Sequence, residues 1–397
     1  MILRIVSIIF VGMAVNIYIP VAPSILGALV DYQDLTSDVA GRLISYNFWG
    51  ATVSTVLAIF ILHRPGWNLR LTLFVCLLLI ILTSAGSVWF AGDIGALGVV
   101  RFVNGIGAGL GFTTCCVAVI GTPHIERSYA LLYGLPFMIS GIGLALLPYA
   151  YQSVGIEGAF FGMGALNLIA FGFLPFIPKM LPQTGSSENK PKVAIEKSLF
   201  LLGGMVIAAL FLHYVFNSGI WTYFERLGIA SGMSAERAGA LLGPSMTAAI
   251  IGMVAASVLG DKIGYLRPIY IGFAAILVST FSLLFSSSEV IFVGGTAVFN
   301  ASITFVTPYF VAILATLVPS GLGVTAANIS TIAGFSTGPF LLSFMIANDD
   351  FQPAILLTAA GFVVALILFV YFVRLLRRSP GGEGQLKAVT TATPPIG

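Results

Sequence analysis

One arginine inside an apolar run is where chemistry can start in this chain. Arg101 lies in the stretch 95–122, about 10 Å along it at 1.5 Å per helical residue. An unpaired cation at that depth in a membrane costs several kcal/mol, so it must face protein or a water-filled cavity. Three roles are open to it: charge-assisted recognition of an anion, conformational coupling, or structural pairing with carbonyls or with an acid from another helix. Arg101, Asn104 and Gly105 stand at i, i+3 and i+4, which puts a charge, an amide and a bare backbone on one helix face. Gly105/Gly109 and Gly107/Gly111 then make two small-residue faces for close helix packing. A second stripe, His213, Asn217 and Trp221 at i, i+4 and i+8, has Tyr214 beside it. His213 falls about 20 Å along its helix, near the middle of a core roughly 30 Å thick. It reads either as a proton site or as a neutral histidine hydrogen-bonded across helices. Asn16, Tyr18 and Pro20 offer a polar handle beside a helix break. Asn300 with Thr304, and Asn328 with Thr331, read as interhelical packing or as substrate contacts. No span carries a carboxylate at mid-depth. A protein counter-ion for Arg101 would therefore come from the span ends, for example Asp31 or Glu225, and a substrate anion would satisfy the same charge. Glu225-Arg226 reads as a solvated pair or a gate at the outer mouth.

The elements that must position these groups are transmembrane helices. With 58% hydrophobic and 8% charged residues, the chain lies far from soluble proteins, in which about a quarter of residues are charged. Apolar stretches long enough to span recur at 4–29, 38–62, 69–91, 95–121, 128–152, 156–178, 199–224, 235–259, 267–287, 291–317, 320–347 and 353–375. This predicts an all-α polytopic membrane protein of twelve helices, with the first helix retained and no cleaved signal peptide. The polar stretch 179–198 reads as a cytoplasmic linker between a six-helix bundle over 1–178 and a second over 199–376. Residues 377–397 read as a disordered cytoplasmic tail. Fourteen of the 18 Lys and Arg residues fall on the side of the N-terminus and three on the other. Both termini are therefore expected in the cytoplasm, the protein sitting in a plasma or bacterial inner membrane.

The halves resemble each other. Ala40, Gly41, Arg64 and Gly66 recur as Ala238, Gly239, Lys262 and Gly264 at an offset of 198, and Ser37 nearly matches Ser234. Parallel six-helix repeats place a substrate site at the repeat interface in some secondary transporters. The turn Asp261-Lys262-Ile263-Gly264-Tyr265-Leu266-Arg267 is similar to the loop signature of the major facilitator superfamily. Its first-half counterpart is His63-Arg64-Pro65-Gly66, with histidine where the family has aspartate. Arg101-x-x-Asn104-Gly105 resembles the family's fourth-helix motif, with asparagine for glutamine. The resemblance implies two pseudo-symmetric halves that alternate access to a central cavity, and a conformational gate at Asp261, Lys262, Gly264, Arg267, Arg64 and Gly66. His63 does not suit that role. The fifth-helix signature of antiporters is absent, which argues against a drug/proton exporter and for uptake.

Other chemistries are set aside on residue types. Cys76, Cys115 and Cys116 lie in spans without zinc-ligand spacing, and His63, His124 and His213 form no cluster. The glycines after Arg101 follow no strand and make no nucleotide loop. No nucleophile–base pair or nucleic-acid patch is present, so no enzymatic activity, cofactor or metal is expected. The expected function is secondary active transport of a small organic solute, most simply an organic anion, with proton coupling, by a monomer in lipid. Trp221, Tyr214 and Tyr18 would line an apolar cavity wall. The alternatives are a proton-driven exporter of drugs or metabolites, and a non-transporting membrane sensor or lipid-handling protein.

Overall fold

Where no water can satisfy the backbone, each apolar stretch must close its own hydrogen bonds, and helices do this within a single segment. The computed structural model describes residues 2–62, 64, 66–119, 122, 125–180, 197–260, 262–317 and 322–378. Among them are thirteen α-helices and no β-strand. In order these are α1 (Ile2–Asn16), α2 (Ala22–Gln33), α3 (Ser37–Ile61), α4 (Leu69–Trp89), α5 (Ile94–Val119), α6 (Ile125–Phe171) and α7 (Lys197–Thr222). The short α8 (Phe224–Ala230) follows, then α9 (Ala235–Leu259), α10 (Leu266–Ser282), α11 (Glu289–Leu317), α12 (Leu322–Ser343) and α13 (Gln352–Arg378). Eight described stretches are long and apolar enough to cross a membrane by length and composition alone.

Three spans differ from their predicted outlines. The first is not one helix over 4–29: residues 17–21 form turns between α1 and α2. Pro20 has no N–H to give a continuing helix, while Pro23 sits in the first turn of α2, where none is needed. The predicted spans 128–152 and 156–178 run together as α6 but are divided at Gly155, whose φ of 62° and ψ of −173° are open to glycine and strained for other residues. The second of them ends at Phe171 and is followed by a 3₁₀ turn at Leu174–Phe176. With α1 and α2 counted as one span, α6 as two and α8 as an appendage of α7, the helices supply twelve spans. Residues 181–196 of the predicted linker, and the predicted tail beyond Arg378, lie outside the described residues.

The chain groups into two compact units. The first comprises Met1–Glu188, Thr222–Ile229 and Met233–Gly243, and the second Asn189–Trp221, Ala230–Gly232 and Pro244–Gly397. In the first unit α5 packs on three other spans. A Cβ on Gly105 or Gly109 would strike the carbonyl oxygen of Asn47 or Ala51 in α3, and one on Gly50 would strike that of Phe102. Gly107 lies against Cys76 and Ile80 of α4, and Gly111 against Val15 of α1 and Cys76. The two predicted glycine faces thus seat two different sets of neighbours. In the second unit Gly252 of α9 meets the Ala301 carbonyl of α11, while Gly334 and Gly338 of α12 meet Phe211 and Val215 of α7. Such contacts supply the close packing that holds helices together where apolar burial gives no driving force.

Candidate functional site

In the first unit, Arg101 is 2% exposed and sits within a polar network contributed by several spans. Its guanidinium carbon lies 4.4 Å from the ring centroid of Tyr18 and 5.1 Å from that of Phe160, so one cation contacts two aromatic rings. Nη1 donates to Ser87 Oγ at 3.2 Å and Nη2 to Asn104 Oδ1 at 3.2 Å, while Nε makes no hydrogen bond. Asn47 on α3 donates from Nδ2 to the Arg101 carbonyl at 3.0 Å and to Asn104 Oδ1 at 2.9 Å. Asn104 Nδ2 donates in turn to Thr83 Oγ1 at 2.8 Å. Arg101 and Asn104, expected on one helix face, thus meet directly, and Tyr18 joins them from the break in the first span. The sequence does not single out Asn47, Thr83 or Ser87. Neutral polar residues recur in most spans, and only the crossing of α3, α4 and α5 shows which ones meet.

Among the described residues no carboxylate pairs with Arg101. Arg42 pairs with Asp38, and Arg226 with Asp31. The expected counter-ions at the span ends are otherwise engaged: Asp31 accepts from Arg226, and Glu225 packs against Gly27 of α2. Nor are Glu225 and Arg226 a solvated pair, being 1% and 8% exposed. Arg101 is thus a buried cation held by neutral hydrogen bonds and ring faces. Tyr18, the nearer ring, lies in residues 17–21, where regular helix gives way to turn contacts such as Ile19 N to Asn16 O at 3.3 Å. Asn16, the last residue of α1, is half-buried.

His213 lies in the second unit and is fully buried. The rings of Tyr214, Phe273, Phe310 and Phe362 have centroids 5.5 to 6.0 Å from its own. Neither ring nitrogen makes a hydrogen bond of normal geometry. Among the described residues these ring neighbours carry no carboxylate. Tyr214 shares a hydrogen bond of 3.0 Å with Thr307 of α11. Asn217, Trp221 and Asn300 are buried, and Asn300 Nδ2 has no partner, whereas Asn328 is exposed on α12. Thr304 donates to the Ala249 carbonyl at 2.7 Å and ties α11 to α9.

The expected gate residues sit in two matching turns. Gly66 and Gly264, 198 residues apart, have φ of 74° and 72°, so each half turns its chain through the left-handed region at the same place. Arg64, Lys262 and Arg267 are exposed there, while Asp261 and His63 lie outside the described residues. Arg70, just after the first of these turns, donates to the carbonyls of Pro175 and Ile177 and fastens the end of the sixth span to the start of α4.

Comparison with known proteins accords with this architecture. A family model described as Major Facilitator Superfamily matches residues 5–327. The chain is similar in structure to a crystal structure of a mutant of the nucleoside transporter NupG, at TM-score 0.75 and 12% identity over 93% of this chain and 99% of that one. It is similar to a D-xylose-proton symporter at TM-score 0.71 and 16% identity over 92% and 96% of the two chains. It is also similar to the E. coli xylose transporter XylE in a partially occluded inward-open conformation, at TM-score 0.74 and 14% identity over 94% and 97%. No curated protein matches the sequence. Identities this low carry the fold alone, and the family rests on the sequence match across most of the chain: this protein is a transporter of the major facilitator superfamily and not an enzyme.

Proposed function

We propose that the protein moves a small organic anion across the membrane by alternating access, with protons as the coupling ion. The observation that carries the reading is Arg101: 2% exposed, against the rings of Tyr18 and Phe160, and without a carboxylate partner among the described residues. A carboxylate or phosphate on the solute would supply the missing charge through charge-assisted hydrogen bonds, and the two rings would flank the solute's apolar part. Access requires Tyr18 to move aside. It lies in the one interrupted stretch of the first span, where a ring can shift without breaking a helical ladder. Proton coupling is supported at the level of the fold by the similar D-xylose-proton symporter.

A second reading, a neutral polar solute, is favoured by the hydrogen bonds Arg101 already makes to Ser87 and Asn104. It also accords with the nucleoside and xylose transporters that share the fold. A thermal-shift screen of the detergent-purified protein separates the two, because a ligand that binds the folded state raises its apparent stability. Organic anions should stabilise the wild type and not Arg101→Ala. Stabilisation by nucleosides or sugars, with no effect from anions, would replace the anion reading with the neutral one.

A further inference from the structure

The short helix after α7 holds a carboxylate that the transport reading leaves unused. Glu225, in the first turn of α8, is 1% exposed, and its Oε2 makes no hydrogen bond among the described residues. Its carboxyl lies so close to the backbone of Gly27 in α2 that a Cβ there would collide with Oε1, which accounts for glycine at that position. Ser24, one turn earlier on α2, faces both this carboxyl and the Tyr151 hydroxyl of α6. The next residue, Arg226, donates from Nη1 to Asp31 Oδ1 at 2.6 Å. All these groups belong to the first compact unit.

Counting charges decides what Glu225 can be. Among the described residues the titratable and charged groups around it are Asp31 on α2, Tyr151 on α6, Arg226 on α8, and Glu236 on α9, the last bonded to Gln152. Arg226 and Asp31 already make a neutral pair. An ionised Glu225 would add a second negative charge, buried, with its oxygens short of donors, and two carboxylates sharing one cation cannot both ionise cheaply. We propose that Glu225 is a proton-binding site, neutral while Arg226 holds Asp31 and ionised when Arg226 is freed to pair with it. Proton transfer is to and from water, with the carboxylic acid O–H breaking to leave a carboxylate. Burial first, and Asp31 second, push its pKa up to about 8, against the pull of Ser24 and Arg226. The site thus exchanges its proton near neutral pH. This inference concerns proton binding and stands whether the carried solute is an anion or neutral.

Infrared difference spectra of the purified full-length protein, titrated from acid to alkaline pH in detergent, read the carbonyl stretch of a protonated carboxylic acid directly. The wild type should show a band lost with a midpoint of about 8, and Glu225→Gln should lack it. Asp31→Asn should shift the midpoint down by at least a pH unit, about tenfold in proton affinity, because Arg226 then turns to Glu225. Absence of a titrating band near neutral pH in the wild type, or its survival in Glu225→Gln, would overturn the assignment. An unchanged midpoint in Asp31→Asn would overturn the sharing of Arg226, and this arm stands even if the glutamine variant does not fold.

Discussion

Arg101 illustrates how a costly residue can be kept without leaving a hole when it is removed. Its two acceptors are satisfied by others: Asn104 Oδ1 also accepts from Asn47, and Ser87 Oγ itself donates to the Thr83 carbonyl at 2.8 Å. Arg101→Met therefore removes a desolvated charge and orphans no polar atom, so melting temperature in detergent should hold or rise while anion-induced stabilisation disappears. A marked drop in melting temperature would instead make Arg101 a structural keystone. Asn104→Ala should behave in the opposite way, because one donor of Asn47 and one of Arg101 lose their acceptor in a buried site. A loss of about 1–3 kcal/mol is expected in thermal or denaturant unfolding. Glu225 gives a pH signature. Its folded pKa of about 8 lies above the ordinary value of 4.5, so between the two the folded chain holds a proton that the unfolded chain lacks. Its contribution to stability is full below 4.5, declines as pH rises to about 8 and is flat beyond, by at most about 1.4 kcal/mol per pH unit. The melting temperature of the wild type relative to Glu225→Gln should fall across that window, and a pH-independent difference would contradict it.

At the scale of elements, spacing in the sequence specified helix faces better than helix partners. The alternation of Gly105, Gly107, Gly109 and Gly111 announces two packing faces, and the structure seats α3 on one and α4 with α1 on the other. Which helix occupies which face is set by long-range packing that a local pattern does not encode, and the same limit hid Asn47, Thr83 and Ser87. The break at Pro20 was legible from the missing N–H. The division of α6 at Gly155 was legible as a gap between spans but not as a single kinked run, because its backbone direction depends on one dihedral pair. These contacts rank glycines by consequence. Gly105→Ala drives a methyl into the Asn47 carbonyl and should cost about 1–3 kcal/mol. Gly162→Ala, with nothing within 4 Å of the new Cβ, should change stability by less than about 1 kcal/mol. Equal melting temperatures for the two alanine variants would mean that α3 and α5 separate more readily than their backbone contact implies.

For the molecule as a whole, the repeat ties fold to orientation. Gly66 and Gly264 take the same left-handed turn at an offset of 198 residues, so the repeat read from residue types recurs in the backbone at this turn. An even number of spans returns the chain to the side from which it started. The basic residues then predict which side this is. Arg64, Arg70, Lys262, Arg267, Arg377 and Arg378 all flank span ends on the side of the N-terminus, and Lys and Arg near span ends resist translocation. Acids contribute little to that choice, so the counts of Lys and Arg govern it although the net charge is only +3. A reporter enzyme that folds only in an oxidising compartment should be inactive when fused after Lys387 and active when inserted after Gly232, in the turn that follows α8. A fluorescent protein that matures only in the cytoplasm should give the reverse. Activity of the oxidation-dependent reporter at Lys387 would invert the molecule in the membrane, placing the paired turns of Gly66 and Gly264 outside and the Glu225 proton site on the cytoplasmic face.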